Sequence, residues 1–125
     1  DHDRPVGSGS PVTVGDIHWV QLPAANGHEQ RGRRPAVILQ DDQYAGGLPV
    51  VMVVPLTTAR GTMRFAGTVL IQPTAENGLP QVSVALVFQL RAIDRRRVQE
   101  RIGSIGETVL RAILSELDKL TGRTP

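Results

Sequence analysis

Residues that could do chemistry are concentrated in one segment of the chain, GHEQRGRRP at 27–35. This segment holds one histidine, one glutamate and three arginines, and it leads directly into the apolar run PAVILQ at 35–40. Loops held by a rigid scaffold are common places for binding and catalytic residues. Arginine presents a planar fork of N–H donors that fits a phosphate, and it keeps its charge when partly buried. The segment therefore indicates an anion site, although a solvated surface loop can have the same composition.

A pair of threonines could complete such a site. Thr57 and Thr58 directly follow the apolar run PVVMVVPL at 49–56. Hydroxyl, imidazole, carboxylate and guanidinium groups together suit cleavage of an RNA phosphodiester by the 2′-OH of the RNA itself. That reaction requires a base for the 2′-OH, an acid for the 5′-oxygen and cations over the phosphate. His28 or Glu29 could be the base and arginine the electrostatic clamp, but the composition permits this chemistry without singling it out.

Several other kinds of site lack the residues they require. The chain has no cysteine, so it has no disulfide, no thiolate nucleophile and no cysteine-based zinc site. Its histidines do not have the spacing of metal ligands. The sequence contains no G-x-S-x-G nucleophile elbow, no phosphate-binding P-loop and no G-x-G-x-x-G motif. We therefore expect neither a metal nor a cofactor.

Positive charge is concentrated in the middle of the chain. The formal net charge is only +2, but the estimated pI is 9.9. Residues 31–101 contain ten arginines and five acidic residues. This excess fits a phosphate-bearing partner, although arginine usage can also reflect genome composition.

The sequence favours a cytoplasmic protein that contacts no membrane. It contains no apolar run of the roughly 20 residues that a membrane helix needs. The first twelve residues, DHDRPVGSGSPV, lack the basic and apolar regions of a secretory signal. The absence of cysteine fits a reducing compartment.

Hydrophobic periodicity predicts a mainly β domain with a C-terminal helix. We expect strands at 17–22, 35–40, 49–56, 65–73, 81–87 with an extension to 93, and 98–102. The runs at 35–40 and 49–56 are continuously apolar, which indicates strands with little solvent-exposed face. Asn77 and Gly78 form a strong turn signal.

The helix is expected over about 105–120, where apolar residues recur on one stripe. Ser104 and Glu107 fit a capping box at its start, and Gly122 fits a C-terminal stop. The resulting organisation is a flexible arm at 1–12 and a single domain at 13–122, with a small, closed or nearly closed β-barrel over about 14–103.

Four motifs follow one another along the chain in a specific order. They are G-D-I-x-W at 15–19, G-H-E-Q-x-G-x-R-P at 27–35, V-P-L-T-T at 54–58 and V-S-V-A-L-V-F-Q-L-R-A-I-D at 82–94. This order resembles the MazF/PemK family of toxin endoribonucleases over about residues 14–120.

The resemblance implies an SH3-like β-barrel of the MazF/PemK/CcdB type and a homodimer. It also implies sequence-specific, metal-independent cleavage of single-stranded RNA, with messenger RNA as the expected class, to 2′,3′-cyclic phosphate and 5′-OH ends. A cognate, MazE-like antitoxin would block the RNA groove.

The resemblance also assigns roles to single residues. Arg34 matches the arginine that binds the scissile phosphate and is a candidate to protonate the leaving oxygen, and Thr57 matches a threonine at the same phosphate. His28 and Glu29 complete the expected catalytic set. The expected RNA-binding residues are Gln30, Arg31, Arg33, Thr58, Arg60 and Arg64. The loops 41–48 and 59–64 are candidates for contacts with the bases.

One departure from the family leaves the general base open. Phe88 stands where some members have an aspartate used in proton transfer, so the base must be His28 or Glu29, or the 2′-OH reacts without a dedicated side chain. Trp19 is expected in the core, and Arg91 and Asp94 are expected to be structural. Two alternative functions share the fold: a non-catalytic protein that binds RNA or antitoxin, and a toxin that poisons gyrase.

Overall fold

The protein is built on seven antiparallel strands and one long C-terminal helix. The computed structural model describes residues 11–24 and 26–123. The strands are β1 (Asp16–Leu22), β2 (Gly32–Ile38), β3 (Val50–Thr57), β4 (Thr68–Ile71), β5 (Ser83–Leu86), β6 (Arg91–Asp94) and β7 (Val98–Ser104). The helices are α1 (Asp42–Ala45) and α2 (Gly106–Leu120), with 3₁₀ turns at Arg60–Arg64, Val87–Gln89 and Arg95–Arg97. The expected mainly β fold with a C-terminal helix is confirmed.

The strand order is β4-β5-β3-β2-β1-β7, and β6 also pairs with β3. β5 and β6 lie one after the other along the same edge of β3, at 56–57 and at 50–53 respectively. The strand expected to run without interruption through 81–93 is therefore divided by the 3₁₀ turn Val87–Gln89. Within the described ranges the edge strands β4 and β7 do not pair with each other, so the barrel is open, the less closed of the two expected arrangements.

Strands β2 and β3 carry apolar side chains on both faces. Alternate residues such as Val37 and Val54 join a cluster that includes Ile113 of α2. Their neighbours Ile38 and Val53 join a second cluster on the opposite face. The prediction that these two runs have little exposed face is thus confirmed. Burial of each such side chain is worth about 1.5–3 kcal/mol, which makes β2 and β3 a rigid support for residues at their ends.

Helix α2 begins one residue later than expected and packs its apolar stripe on the sheet. Gly122 has φ +81° after its last turn, as the predicted stop requires. The predicted capping box is wrong, because the N-cap is Ile105 and no side chain caps the helix. β1 and β7 pair as far as Asp16 and Ser104. The backbone N–H of Ile105 then donates to Gly15 O at 3.0 Å, so the contact between the two segments continues one residue beyond β7. No helix in the described part of the chain is long and apolar enough to cross a membrane.

The predicted N-terminal arm extends too far into the domain. Residues 1–10 lie outside the described residues, but Val12 is buried in the second apolar cluster. Its backbone N–H donates to Asp42 Oδ2 at 2.7 Å. The anchored part of the chain therefore begins before residue 13.

The turn between β4 and β5 packs closely on β7. Asn77 is buried and holds the turn: its Oδ1 accepts from Thr74 N and Leu79 N, and its Nδ2 donates to Gln72 O. A Cβ atom at Gly103 would overlap the carbonyl oxygens of Glu76 and Asn77, so only glycine allows this approach. The expected turn at Asn77 is confirmed, and its position makes it a wall of the site described next.

Candidate active site

A cavity of about 490 Å³ lies between the ends of β2 and β3 and the turn that follows β4. Its polar lining consists of Arg33, Arg34, Thr57, Thr58, Gln81 and Ser83. Its apolar lining consists of Trp19, Pro35, Leu56, Leu79, Pro80 and Ile102. The cavity thus combines cations and hydroxyl groups with an apolar wall, and its lining contains no carboxylate and no imidazole. An anion with an attached flat, apolar group would suit it.

Arg34 and Thr57 are placed opposite each other by the strand register. β2 pairs with β3 at Val37 and Val54 and at Ala36 and Pro55. Continuing this antiparallel register by two residues sets Arg34 against Thr57. Both residues line the cavity, although 23 positions separate them in the sequence. Arg33 and Arg34 both belong to β2, which begins at Gly32 and not at residue 35 as the sequence predicted.

The Arg34 side chain is oriented by one hydrogen bond and keeps two donor groups free. Its Nε donates to the carbonyl of Arg31 at 3.0 Å. Across residues 11–24 and 26–123, neither of its terminal amino groups has a protein partner. A guanidinium fixed through Nε presents its outer edge as a fork for two oxygens of one phosphate.

Thr57 is suited to donate a hydrogen bond into the same space. Its side chain is held at the end of β3 with only 8% of the residue exposed. Its Oγ1 accepts from the backbone N–H of Ala59 at 3.1 Å. A hydroxyl that already accepts a bond still has one proton to donate, and no described residue takes that proton. Arg34 and Thr57 together can supply three donors to an anion.

Arg33 is fixed along the side of the cavity by three contacts. Its guanidinium lies over the Trp19 ring, 4.2 Å from the ring centroid. Its Nε donates to Gln99 Oε1 at 2.9 Å, and its Nη2 lies 3.1 Å from Glu100 Oε2. Trp19 was expected in the core. It is half-buried and forms the cavity wall, with Arg33 covering one face of its ring.

His28 and Glu29 do not join Arg34 and Thr57 in this cavity. Both are exposed residues of the loop between β1 and β2. Glu29 lines a second cavity of about 570 Å³, together with Phe88 and Arg91. The backbone carbonyl of His28 accepts a hydrogen bond from Gln89. Their proposed catalytic roles remain predictions.

The other expected RNA-binding residues lie in chain segments that directly follow lining residues of the two cavities. Arg31 is exposed at the end of the β1–β2 loop. Gln30 is half-buried there, and its buried Oε1 has no hydrogen-bond partner in the described part of the chain. Arg60 and Arg64 are exposed in the 3₁₀ turn after Thr57. The candidate loop 59–64 thus lies at the Thr57 end of β3, whereas the candidate loop 41–48 lies at the other end. No group of three metal-binding side chains forms among the described residues.

Gln89 and Arg91 hold the β1–β2 loop that carries His28, Glu29 and Gln30. The contact of Arg91 agrees with the structural role expected for it, whereas the sequence did not indicate a role for Gln89. Gln89 Oε1 accepts from Gln30 N at 2.7 Å, and its Nε2 donates to His28 O at 3.2 Å. Arg91 Nη1 donates to Gln30 O at 2.8 Å. The next residue, Arg31, supplies the carbonyl that orients Arg34. Gln89 is therefore a positioning residue that acts through the loop backbone.

We expect Gln89→Ala to lower kcat about 10- to 100-fold for the RNA cleavage that the motif resemblance implies, because a small displacement of a reacting group can cost that much. Gln89→Glu keeps the acceptor for Gln30 N and loses the donor to His28 O, so an intermediate kcat is expected. Ser115→Ala, on the exposed surface of α2 and outside both candidate RNA-contact loops, is the control. Steady-state kinetics on a fluorogenic RNA measure the effect. A rise in KM with unchanged kcat would assign Gln89 to RNA contact and contradict a positioning role.

Known relatives match nearly the whole chain. Residues 13–121 match the model of a family described as PemK-like, MazF-like toxin of type II toxin–antitoxin system. The Endoribonuclease MazF of Staphylococcus epidermidis is 30% identical over 107 residues, which cover 86% of this chain and 88% of that protein.

Two solved structures share the fold at similar identity. MazF (Form-I) from Deinococcus radiodurans has a TM-score of 0.74 and 28% identity, covering 90% of this chain and 98% of its own. A chain of MazE-MazF (Form-II) from the same organism has a TM-score of 0.70 and 28% identity, covering 92% of this chain and 99% of its own. Because the family match begins three residues before β1 and continues through α2, as the order of the motifs predicted, this chain belongs to the PemK-like, MazF-like toxins of type II toxin–antitoxin systems.

Proposed function

We propose that this protein is an endoribonuclease toxin that cuts single-stranded RNA at a short sequence without a metal ion. The observation that carries the proposal is the placement of Arg34 opposite Thr57 in one cavity, with free donors on both side chains. The name of the S. epidermidis relative supports the activity. The order of motifs around Arg34 and Thr57 supports the same assignment.

The proposed reaction is a transesterification within the RNA. The 2′-oxygen attacks the adjacent phosphorus, the bond to the 5′-oxygen breaks, and the products have 2′,3′-cyclic phosphate and 5′-OH ends. The 2′-OH loses a proton and the 5′-oxygen gains one. Negative charge grows on the non-bridging oxygens as the phosphorus becomes pentavalent. The fork of Arg34 and the Thr57 hydroxyl are fixed donors for that charge, which is the most effective form of electrostatic catalysis.

The proton-transfer groups are less clearly provided than the phosphate site. Arg34 is a candidate to protonate the 5′-oxygen, because its guanidinium would lie at the phosphate. The first cavity offers no carboxylate or imidazole as a base. Glu29 and His28 are the nearest candidates along the loop, and the Arg31 carbonyl links this loop to Arg34. We therefore assign most of the expected rate enhancement to charge stabilisation.

The partners proposed for this toxin are molecules that could bind at the cavity containing Arg34 and Thr57. We propose that it acts in the cytoplasm on single-stranded RNA, as a homodimer, and that a MazE-like antitoxin covers the groove to neutralise it. The D. radiodurans MazE-MazF structure supports an antitoxin of this kind. The cations that line and surround the cavity would attract an acidic segment of the antitoxin as they attract RNA.

A second candidate function is a non-catalytic protein that binds RNA or antitoxin. One observation favours it: the cavity that holds Arg34 and Thr57 lacks a general base. Such a protein would bind RNA and leave it intact, so product analysis separates the two functions.

The first test is to incubate the purified protein with a long unstructured RNA in EDTA and to map new 5′-OH ends by primer extension. Cuts at one short repeated sequence, with cyclic phosphate on the upstream fragments, are the expected result. Intact RNA that remains bound by folded, antitoxin-free protein would overturn the enzyme and establish the binding protein.

A further inference from the structure

Two phenylalanine rings lie side by side on the surface near the second cavity. Phe65 follows the 3₁₀ turn Arg60–Arg64, and Phe88 lies in the 3₁₀ turn between β5 and β6. They are 45% and 40% exposed, and their ring centroids are 5.6 Å apart at an interplanar angle of 60°. The chain has only four aromatic residues, and two of them are in contact here with part of each ring open to a ligand. Exposed aromatic rings of this kind are surfaces on which nucleic-acid bases stack.

A cation and a fixed backbone accompany the rings. The guanidinium of Arg64 lies 4.4 Å from the centroid of the Phe65 ring, and its Nη1 donates to Gly61 O at 2.8 Å. The backbone N–H of Phe88 donates to Gly67 O at 3.2 Å, which joins the two segments that carry the rings. The aromatic pair is thus held in place before any ligand arrives.

We propose that Phe65 and Phe88, with Arg64, form a stacking site for one unpaired base of the RNA. This inference rests on the proposed function and names how the RNA is held beyond the scissile phosphate. A base stacks on aromatic rings through its π-face, and Arg64 can bind the phosphate of the same nucleotide. Glu29 lines the cavity beside Phe88 and can accept from an exocyclic amino group of a base, so the site can also discriminate among bases.

The position of the site relative to the phosphate-binding residues supports this assignment. Gln89, next to Phe88, holds the loop that leads to Arg34. The turn that ends at Arg64 begins three residues after Thr57. The segment that carries Phe88 therefore contacts the loop before β2, and the segment that carries Phe65 follows β3 along the chain. A strand of RNA that crosses Arg34 and Thr57 can reach the aromatic pair.

Area and charge favour a base over a second protein surface. The exposed parts of two phenylalanines amount to roughly 150–200 Å², far below the roughly 800 Å² that each partner buries in a stable protein interface. The nearby exposed cations Arg60 and Arg64 complement phosphate. An apolar protein surface would leave these two charges without a partner.

The test measures binding of a fluorescein-labelled, mixed-sequence 12-nucleotide DNA single strand, which has no 2′-OH to react. We expect Phe88→Ala to weaken binding about 5- to 100-fold, the loss of one stacked base. Phe88→Trp should bind at least as tightly as the wild type, whereas Phe88→Leu should bind as weakly as alanine. Leu114→Ala is the control, because Leu114 is an exposed apolar residue of α2 outside both loops that are expected to contact the bases.

Salt dependence separates stacking from charge. Phe88→Ala should leave the slope of log Kd against log salt unchanged. Arg64→Ala should reduce it by about 0.7 if Arg64 contacts one phosphate of the single strand. Phe65→Ala should resemble Phe88→Ala, and sedimentation velocity should show the wild-type oligomeric state for both.

Three results would overturn the stacking site. They are wild-type affinity in Phe88→Ala, full affinity in Phe88→Leu, and a change of oligomeric state in Phe88→Ala, which would make the rings a protein interface. The proposed function fails separately: a wild type that binds single strands through Phe88 but cuts no RNA keeps the stacking site and loses the enzyme. If the wild type cuts RNA and Phe88→Ala binds the single strand with unchanged affinity, the proposed enzyme stands and the stacking site is refuted.

Discussion

Replacing Arg34 by alanine is expected to abolish RNA cleavage in a protein that remains folded. The side chain is only half-buried, and among the described residues its one hydrogen bond is to the Arg31 carbonyl, so its loss removes little packing. Its free fork is the main charge available to a pentavalent phosphate in the cavity. Removal of one preorganised donor from such a site typically costs 10²–10³-fold in kcat, and loss of the charge should cost at least about as much.

Arg34→Lys tests the geometry of the fork. A lysine ammonium is a point charge that cannot bind two oxygens of one phosphate in parallel. It also cannot be oriented through Nε as the guanidinium is. We expect Arg34→Lys to remain at least tenfold below the wild type in kcat.

The matched control is Arg111→Ala, which removes an exposed arginine of α2 that pairs with Glu107. It should cleave RNA at the wild-type rate. Rates come from single-turnover cleavage of a target RNA in EDTA, and circular dichroism checks that each variant is folded. A fully active Arg34→Ala would remove Arg34 from the proposed mechanism.

The strands that support the site could be predicted because their local pattern and their burial agree. Residues 35–38 of β2 and 50–56 of β3 are continuously apolar in sequence and contribute to clusters on both faces of the sheet. The interruption between β5 and β6 could not be predicted in this way, because residues 81–93 read as one extended run. It depends on the pairing of two consecutive strands with the same edge of β3.

Local helix signals failed where pairing between distant residues competes with them. Ser104 and Glu107 have the spacing of a capping box. However, the backbone N–H of Ser104 donates to Glu76 O, and Ile105 bonds Gly15 O. These bonds hold the backbone of Ser104 and Ile105 against distant segments, and Gly106, with a φ of +77°, then begins the helix.

The phosphate-binding pair was predictable from motifs, while its support was not. Arg34 and Thr57 each stand next to a recognisable apolar run, and the strand register brings them together. Gln89 acts through hydrogen bonds to a loop about sixty residues earlier in the chain. Periodicity and spacing carry no signal for such a contact. The same holds for the Asp42–Arg95 pair, on which the second large effect depends.

Breaking the buried ion pair between Asp42 and Arg95 is expected to destabilise the fold by about 3–5 kcal/mol. Both side chains are only 8% exposed. Arg95 Nη1 and Nη2 donate to Asp42 Oδ2 and Oδ1 at 2.6 and 3.0 Å, and Arg95 Nε donates to Leu48 O. Asp42 Oδ2 also accepts from Val12 N. In Asp42→Ala, Arg95 would keep its buried charge without this carboxylate, which is the costly half of the change.

The same pair makes stability depend on pH in a defined direction. Burial raises the pKa of Asp42. The hydrogen bonds from Arg95 and Val12 and the charge of Arg95 together lower it by more than burial raises it, so the pKa lies below its usual value of 3.8. At pH values around these two pKa values, Asp42 therefore binds more protons in the unfolded chain than in the folded chain. The stabilisation is therefore fully present above the unfolded pKa and is lost as pH falls through the folded pKa.

Urea unfolding at pH 7 and at steps from about pH 5 down to pH 2.5 measures both effects at constant ionic strength. We expect the free-energy difference between wild type and Asp42→Asn to be largest at pH 7 and to shrink below about pH 4. Comparing the two proteins separates Asp42 from Asp94, whose pKa is lowered to about 2 chiefly by hydrogen bonds from Arg96. Asp41→Asn is the control, because asparagine caps α1 as well as aspartate does. A difference that stays constant down to pH 2.5 would show that Asp42 does not stabilise the fold through its charge.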